Sequence, residues 1–334
     1  MKVLFSTERY IDASNHDRGL APHDYCMIGA YEHAMTGRGA SYTCWHYDDN
    51  PANTLIDACL GYMPDLVVAT ATVQLGERNV PPETYRYIRD ELKIPVIMVW
   101  LESAPDVVRV ADMYAPSTTA TVFVDTAEHW KQFTDFPELC HWLPEPKDPR
   151  IFNANLGSFI KRDVPISFIG SVLGRADRAF NLAALWSAGI DVQRLGGGQY
   201  GKTSIYHYAD CLKRSVATLN FASAVSFQHI NARLSESLLC GALLLESDCL
   251  ETTRLLEPYR HFVPFEAPFH IDENPPHQLV MRSSNDLIDK IRHYTGPGRD
   301  EAERIAKAGQ AKAVELFDGK VFWESMFKLA GLQW

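Results

Sequence analysis

Short β-branched runs alternate with amphipathic stretches along this chain, and they do so twice, on either side of a proline-rich interruption. Parallel strands need a crossover between them, and a helix is the usual one, so strand–helix alternation points to βαβ units and a parallel sheet. In the first half the candidate strands are KVLFST (2–7), SYTCWHY (41–47), DLVVATA (65–71), IPVIMVW (94–100), ATVFVD (120–125) and LCHWLP (139–144). Several are apolar throughout, as expected of strands covered on both faces. Helical patterns fall near 25–36, 52–62, 82–92, 105–114 and 127–133, with Pro51, Pro64, Pro82 and Pro105 at their edges. The stretch LPEPKDPRIFNANLGSFIKRDVP (143–165) then reads as a linker. After it come strands ISFIGS (166–171), DVQRLGG (191–197), VATLNFA (216–222), ALLLES (242–247) and HFVPF (261–265). Helices are expected near 176–188, 204–214, 231–240 and 251–257, and three more close the chain near 284–294, 299–317 and 319–330. The fold class is α/β, with two doubly wound, Rossmann-like parallel-sheet domains over 1–147 and 148–318 and a last helix over 319–334.

A length of 334 residues suits two domains, and 46% hydrophobic against 22% charged residues gives each a core. No apolar run reaches the roughly 18 residues a membrane helix needs. The N-terminus MKVLFSTERY has no apolar signal core followed by a cleavage site, so a cytoplasmic protein is expected. Seven cysteines, none in a C-x-x-C pair, argue against a disulfide framework and a thiolate zinc site. Residues 1–150 hold 12 Lys+Arg against 22 Asp+Glu, a net of −10, while 151–334 hold 20 of each. An acidic first half makes nucleic acid or an anionic membrane a poor partner there.

The second half carries the clearer chemistry. ISFIGSVLGRADRAFNLAAL runs from a strand through Gly170 and Ser171 into a helix. Such a junction presents free backbone N–H groups to an anion, and Arg175 and Arg178 could add charge. A tight βα turn that merely uses glycine would look the same. The next strand ends in Leu195-Gly196-Gly197-Gly198, where a nucleotide base could approach the backbone, or where a loop is simply flexible. In QHINARLSESLLCGALLLES (228–247), Arg233 and Glu236 stand three apart on one helical face. They read as a surface ion pair, or as a cation for a diphosphate beside a carboxylate for ribose hydroxyls. The first alternative sits poorly with an otherwise apolar helix, where an unassigned Arg and Glu would be costly.

Taken in order, ISFIGS, AGIDVQRLGG, YADCLKRSVATLNF, ARLSESLLCGALLL, NDLIDKIRHY and IAKAGQAKAVELF resemble the C-terminal, donor-binding domain of GT-B glycosyltransferases, nearest to the spore-protein CgeB-like group. The resemblance covers about 165–330; the first half, with IPVIMVWLES-P and HWLPEPKDP, is similar more loosely. It implies a nucleotide-sugar donor, a UDP-sugar foremost, bound in a cleft that two Rossmann-like domains face, and transfer to an acceptor held by the first domain. It also implies that the last helix returns to pack on the first domain. On the matching positions Glu236 holds the ribose, Gly170 and Ser171 the phosphates, Gly196 and Gly197 the base, and Arg233 the diphosphate; Arg175 joins this donor set as added charge at the turn. Gln228 stands where many relatives have the first acid of an E-x7-E pattern, and it is counted with His229 in the donor site. Tyr208 and Asn220 fall in the family's Y…LN segment and read mostly as scaffold. No cofactor or metal is implied, and the acceptor is a glycan, protein or small molecule more readily than a nucleic acid.

The acceptor side rests on the loop ERYIDASNHDRGLAPHDY (8–25), which follows the first strand and should line the crevice. Asp12, His16, Asp17, His23 and Asp24 are candidates for a general base or for acceptor contacts, and equally for capping or solvated roles. The paired His-Asp steps resemble metal ligands but lack a fixed helical spacing. Glu102, after strand 94–100, is a further candidate base, or a cap shared with Ser103 for the next helix. WHYDDN (45–50) is either a sugar-stacking wall or core. Asp12, His16, Asp17 and Glu102 form the catalytic set. Other readings keep the fold and change the reaction: a nucleotide-sugar epimerase, a glycosyltransferase acting on a nucleic-acid base, or a non-catalytic nucleotide-binding scaffold. No G-x-G-x-x-G follows any expected strand, which counts against a dehydrogenase.

Overall fold

Every residue of LVVAT (66–70) and VIMVW (96–100) is buried, because each run lies in a parallel strand covered on both faces. The computed structural model describes residues 1–9, 26–47, 49–70, 79–126, 129–154, 156–172, 175–196, 203–221, 229–247, 249–266, 269–271, 279–281 and 285–333. They divide into one unit of Met1–Asp148 with Phe317–Trp334 and another of Pro149–Leu316.

The first unit carries β1 (Lys2–Thr7), β2 (Ser41–His46), β3 (Leu66–Thr70), β4 (Val96–Trp100), β5 (Ala120–Phe123) and β6 (Cys140–Trp142). All pair in parallel in the order β2-β1-β3-β4-β5-β6. Its helices are α1 (Met27–Ala34), α2 (Thr54–Tyr62), α3 (Pro82–Asp90) and α4 (Pro105–Tyr114). Pro82 and Pro105 open their helices, where the missing N–H would have had no partner. The helix expected near 127–133 is a short 3-10 turn at His129–Gln132, with 127–128 outside the described residues. Alternation along the strands sends Leu4, Val67, Met98 and Trp100 toward α2, α3 and α4. The intervening Val3, Phe5, Val68, Ile97 and Val99 face α1.

The second unit carries β7 (Val164–Ile169), β8 (Gln193–Leu195), β9 (Ser215–Asn220), β10 (Leu243–Ser247) and β11 (Val263–Phe265), parallel in the order β11-β10-β9-β7-β8. Its helices are α5 (Ala176–Ser187), α6 (Ile205–Arg214), α7 (Ala232–Leu239), α8 (Leu250–Leu255), α9 (Asp286–Thr295) and α10 (Arg299–Leu316). An antiparallel pair, β12 (Phe269–Ile271) and β13 (Leu279–Met281), was not expected from the sequence pattern. The stretch read as a linker is largely part of this unit. Ile151, Phe152 and Phe159 are buried. Arg162 donates to the carbonyls of Leu212 (3.2 Å), Ser215 (2.6 Å) and Cys240 (2.9 Å). Those carbonyls end one helix, open a strand and end another helix, so the guanidinium ties three elements together.

The last helix, α11 (Gly319–Leu329), packs on α1 in the first unit. Asp318 caps it, accepting from the backbone N–H groups of Lys320 (2.6 Å) and Val321 (3.3 Å). With only eight residues, α1 cannot cover its face of a six-stranded sheet, and α11 supplies Phe322, Trp323, Met326 and Phe327 to the same core. Gly319 lets the two helices meet, since a methyl there would lie 3.0 Å from the Ala30 Cβ. Among the described residues no helix is long and apolar enough to cross a membrane.

Candidate functional site

In an open α/β sheet the ligand crevice lies beyond the carboxyl ends of the strands, where the strand order reverses. In the second unit that point falls between β7 and β9, since the chain adds β8 on one side of β7 and β9 on the other. Beyond these ends stand Gly170 and Ser171 from β7, Gly196 from β8, Asn220 and Phe221 from β9, and Arg233 in the first turn of α7.

The structure brings several of these together. Gly170 has φ +149°, and a methyl on it would lie 2.9 Å from Nη2 and 3.2 Å from Cζ of Arg233. Glycine is needed here twice over, for the dihedral and to make room for the guanidinium. The Gly170 N–H donates to the Leu195 carbonyl at 3.0 Å, which draws the β8 end against the turn. Gly196, with φ +74°, follows directly and approaches the Gly170 backbone.

Arg233 donates from Nη1 to Asn220 Oδ1 at 2.8 Å and lies over the Phe168 ring at 5.6 Å. Arg178 donates to the carbonyls of Ser171 (3.1 Å) and Phe221 (3.2 Å), bridging the two strand ends. Burial, and the nearby cations Arg233 and Arg175, pull the Arg178 guanidinium down to about 9, still charged at neutral pH. Its Nε is buried with no partner among the described residues. Positive groups crowded this way favour an anion among them. Arg175 is engaged differently: Asp177 accepts from its Nε (3.1 Å) and Nη2 (3.0 Å).

Arg233 and Glu236 do not pair with each other, although three residues separate them on α7. Glu236 is buried and accepts from the Tyr208 hydroxyl, while Arg233 turns to Asn220. The Tyr208 ring meets Phe152 edge-on at 6.1 Å. Tyr208 and Asn220, read from sequence as scaffold, therefore hold the two charged side chains of α7. His229 is half-buried, two residues before Asn231. Gly197 and Gln228 lie outside the described residues.

Two residues were missed from the sequence. Asn231, just before α7, donates to Asn220 Oδ1 at 2.9 Å, and its own Oδ1 is buried with no partner among the described residues. Glu246, the fourth residue of LLLES, is fully buried and accepts from Asn220 Nδ2 on both oxygens, at 2.8 and 3.1 Å. Burial pushes its carboxyl up to about 8, against the opposing pull of Asn220 and Arg233. A carboxylate within an apolar β-run was the available signal.

In the first unit the strand order reverses between β1 and β3. At that end Tyr47 donates to the Glu8 carboxylate, and Ser6 shares a 3.2 Å hydrogen bond with Tyr85. Asp12, His16, Asp17, His23 and Asp24 lie outside the described residues. Glu102 is exposed and does not cap α4. Its neighbour Ser103 instead donates to Asp125 through backbone N–H (2.8 Å) and hydroxyl (3.0 Å). Burial raises the Asp125 carboxyl to about 7 despite these donors and that of Thr126. Trp45 and Tyr47 are buried, so WHYDDN contributes its aromatic rings to the interior and not to an open wall. Among the described residues no cluster of three or more His, Cys, Asp or Glu could hold a metal ion.

Residues 178–318 match the family described as glycosyl transferase-like. No curated protein sequence matches the chain. Solved structures align over nearly the whole length. Anabaena HepE in complex with UDP and glucose shares 11% identity, with 99% of each chain covered and a TM-score of 0.60. The catalytic domain of Arabidopsis thaliana starch synthase IV, bound to ADP and acarbose, shares 6% identity over 99% of each chain at a TM-score of 0.67. AviGT4, a glycosyltransferase involved in avilamycin A biosynthesis, shares 12%, covering 99% of this chain and 97% of that one, at 0.59. At these identities the likeness establishes the fold, which is that of the GT-B glycosyltransferases.

Proposed function

We propose that this chain is a glycosyltransferase that moves a sugar from a nucleoside-diphosphate sugar, a UDP-sugar foremost, to an acceptor hydroxyl without a metal ion. The observation that carries the proposal is the set of groups at the β7/β9 reversal: the Gly170 turn, the Arg233 and Arg178 guanidiniums and the first turn of α7. When the glycosidic bond to the donor breaks, charge develops on the diphosphate oxygens. Fixed cations and backbone N–H groups stabilise that charge without reorganising, which is how a metal-free site would favour the leaving group. Glu236, steadied by Tyr208, would accept from the ribose hydroxyls and set the nucleotide's register. The acceptor's proton passes to a base, for which Asp12, His16, Asp17 and Glu102 are the candidates. HepE was crystallised with UDP-glucose as well as with UDP, which puts UDP first among donors to try.

Thermal unfolding against UDP, GDP, ADP, CMP, dTDP and NAD, with EDTA present, tests the proposal. A ligand at about 100 times its Kd adds about 2.7 kcal/mol to the native state, a shift of several degrees for a unit of this size. One nucleoside diphosphate is expected to stand out, with Glu236→Gln removing most of its shift. A shift with NAD alone, or with none of the panel, refutes the donor assignment. Release of free nucleoside diphosphate during turnover separates transfer from epimerisation.

A further inference from the structure

The buried Glu246 is unexplained by the proposed reaction, since neither leaving-group stabilisation nor ribose recognition uses it. It faces Asn220 directly across the β9–β10 pair, in register. The orientation of the Asn220 amide is forced. A guanidinium only donates, so the Asn220 oxygen must face Arg233, and the amide nitrogen then faces Glu246. Asn231 donates to the same oxygen, which closes a chain running from Glu246 through Asn220 to Arg233 and the N-terminus of α7.

We propose that Glu246 is a positioning residue, whose carboxyl locks the Asn220 amide, holds the Arg233 guanidinium beside Gly170 and adjusts the site's hold on the donor diphosphate. The inference rests on the proposed donor site. Two consequences follow from the chain. With Glu246 neutral, Arg233 keeps its full attraction for an anion. With Glu246 ionised, a negative charge buried behind Asn220 offsets part of that attraction. Arg233 pulls the Glu246 carboxyl down, so an anion bound on Arg233 weakens that pull and raises it again. By linkage, donor binding takes up protons near pH 8, and affinity falls as pH rises through that range.

Among the described residues the charged and titratable surroundings of Glu246 are few. Arg233 faces it from α7, and Cys249 follows on its own strand end, with a thiol raised above its ordinary value by burial and by Glu246. Its register partner on β11 is Pro264, and the β10 leucines on the opposite face meet Ala302, Ile305 and Ala306 of α10. Among the described residues of the site, Arg178 also titrates toward this range, near 9.

The experiment is calorimetric titration of UDP into the protein between pH 6.5 and 8.5, each point in two buffers of different ionisation enthalpy. The last ionisation of a terminal phosphate lies near 6, below this window. For the wild type, uptake approaching about half a proton at pH 8 is expected, with affinity falling up to about tenfold per pH unit above that. Glu246→Gln should flatten the affinity profile, leaving only the Arg178 contribution, and should have no effect on affinity in an Arg233→Ala background. A purely structural Glu246 would change the melting temperature of the variant and leave the pH slope intact, and that result overturns the proposal. Should Glu246→Gln not fold, the absence of proton uptake by the wild type overturns it alone. If the wild type binds neither UDP nor any other nucleotide of the panel, the donor site itself fails; binding with an unaltered slope in the variant refutes only the role of Glu246.

Discussion

Gly170→Ala is the most informative single change, because its two costs fall on different observables. The first is local. At φ +149° an L side chain is strained whatever space surrounds it, and such positions cost about 1–3 kcal/mol. At roughly 2–4 °C per kcal/mol for a unit of this size, the melting temperature should drop by a few to about ten degrees. The second cost is transmitted. The new methyl would sit 2.9 Å from Arg233 Nη2 and 3.2 Å from its Cζ, so the guanidinium must move. It then gives up its 2.8 Å bond to Asn220 and its place over the Phe168 ring. A hydrogen bond to a charged group contributes about 1.5–3 kcal/mol, so nucleoside-diphosphate affinity should fall about 10- to 150-fold. The assay is calorimetric binding alongside thermal unfolding, for Gly170→Ala, Arg233→Ala and the double variant. In the Arg233→Ala background the affinity cost of the methyl should vanish while the stability cost remains. A Gly170→Ala protein that melts low but binds the nucleotide as tightly as wild type would refute the link between the turn and the guanidinium.

Two further outcomes test the structure away from the donor site. Trp323→Ala removes a fully buried ring that meets Phe5 at 5.7 Å and Tyr31 at 4.9 Å, and should cost about 3–5 kcal/mol by denaturant unfolding; a loss below about 1 kcal/mol would mean that α11 does not cover the first sheet. Asp125 and Glu246 both have carboxyls raised in the fold, to about 7 and about 8, so each adds stability that is complete at low pH and lost as pH rises toward those values. Burial lowers His141 and His261, whose opposing effect sets in only as pH falls below about 6.5. The wild type should therefore melt lower at about pH 8 than at about pH 6.5. Asp125→Asn should remove its share of that slope, and an unchanged slope in both Asp125→Asn and Glu246→Gln would contradict the burial argument.

The sequence by itself determined the alternation of parallel strands and helices, because burial on both faces leaves an apolar run that needs no knowledge of neighbours. It also marked the Gly170 turn, Arg233 and Glu236, since a strand–glycine–helix junction and a charged pair on an apolar helix are local patterns. It gave no sign that most of 143–165 packs into the second unit, because the prolines that break a helix say nothing of Phe159 or of the carbonyls that Arg162 reaches. What only the tertiary structure decided is who partners whom. Helical spacing proposed Arg233 with Glu236, and the fold gave Arg233 to Asn220, thirteen residues away, and Glu236 to Tyr208, twenty-eight away. Glu246 meets Asn220 across twenty-six residues because β10 is laid beside β9, and that order is set by the packing of whole elements. Local periodicity encodes which face a residue presents; sheet order, which follows from the joint burial of every strand and helix, decides what that face meets.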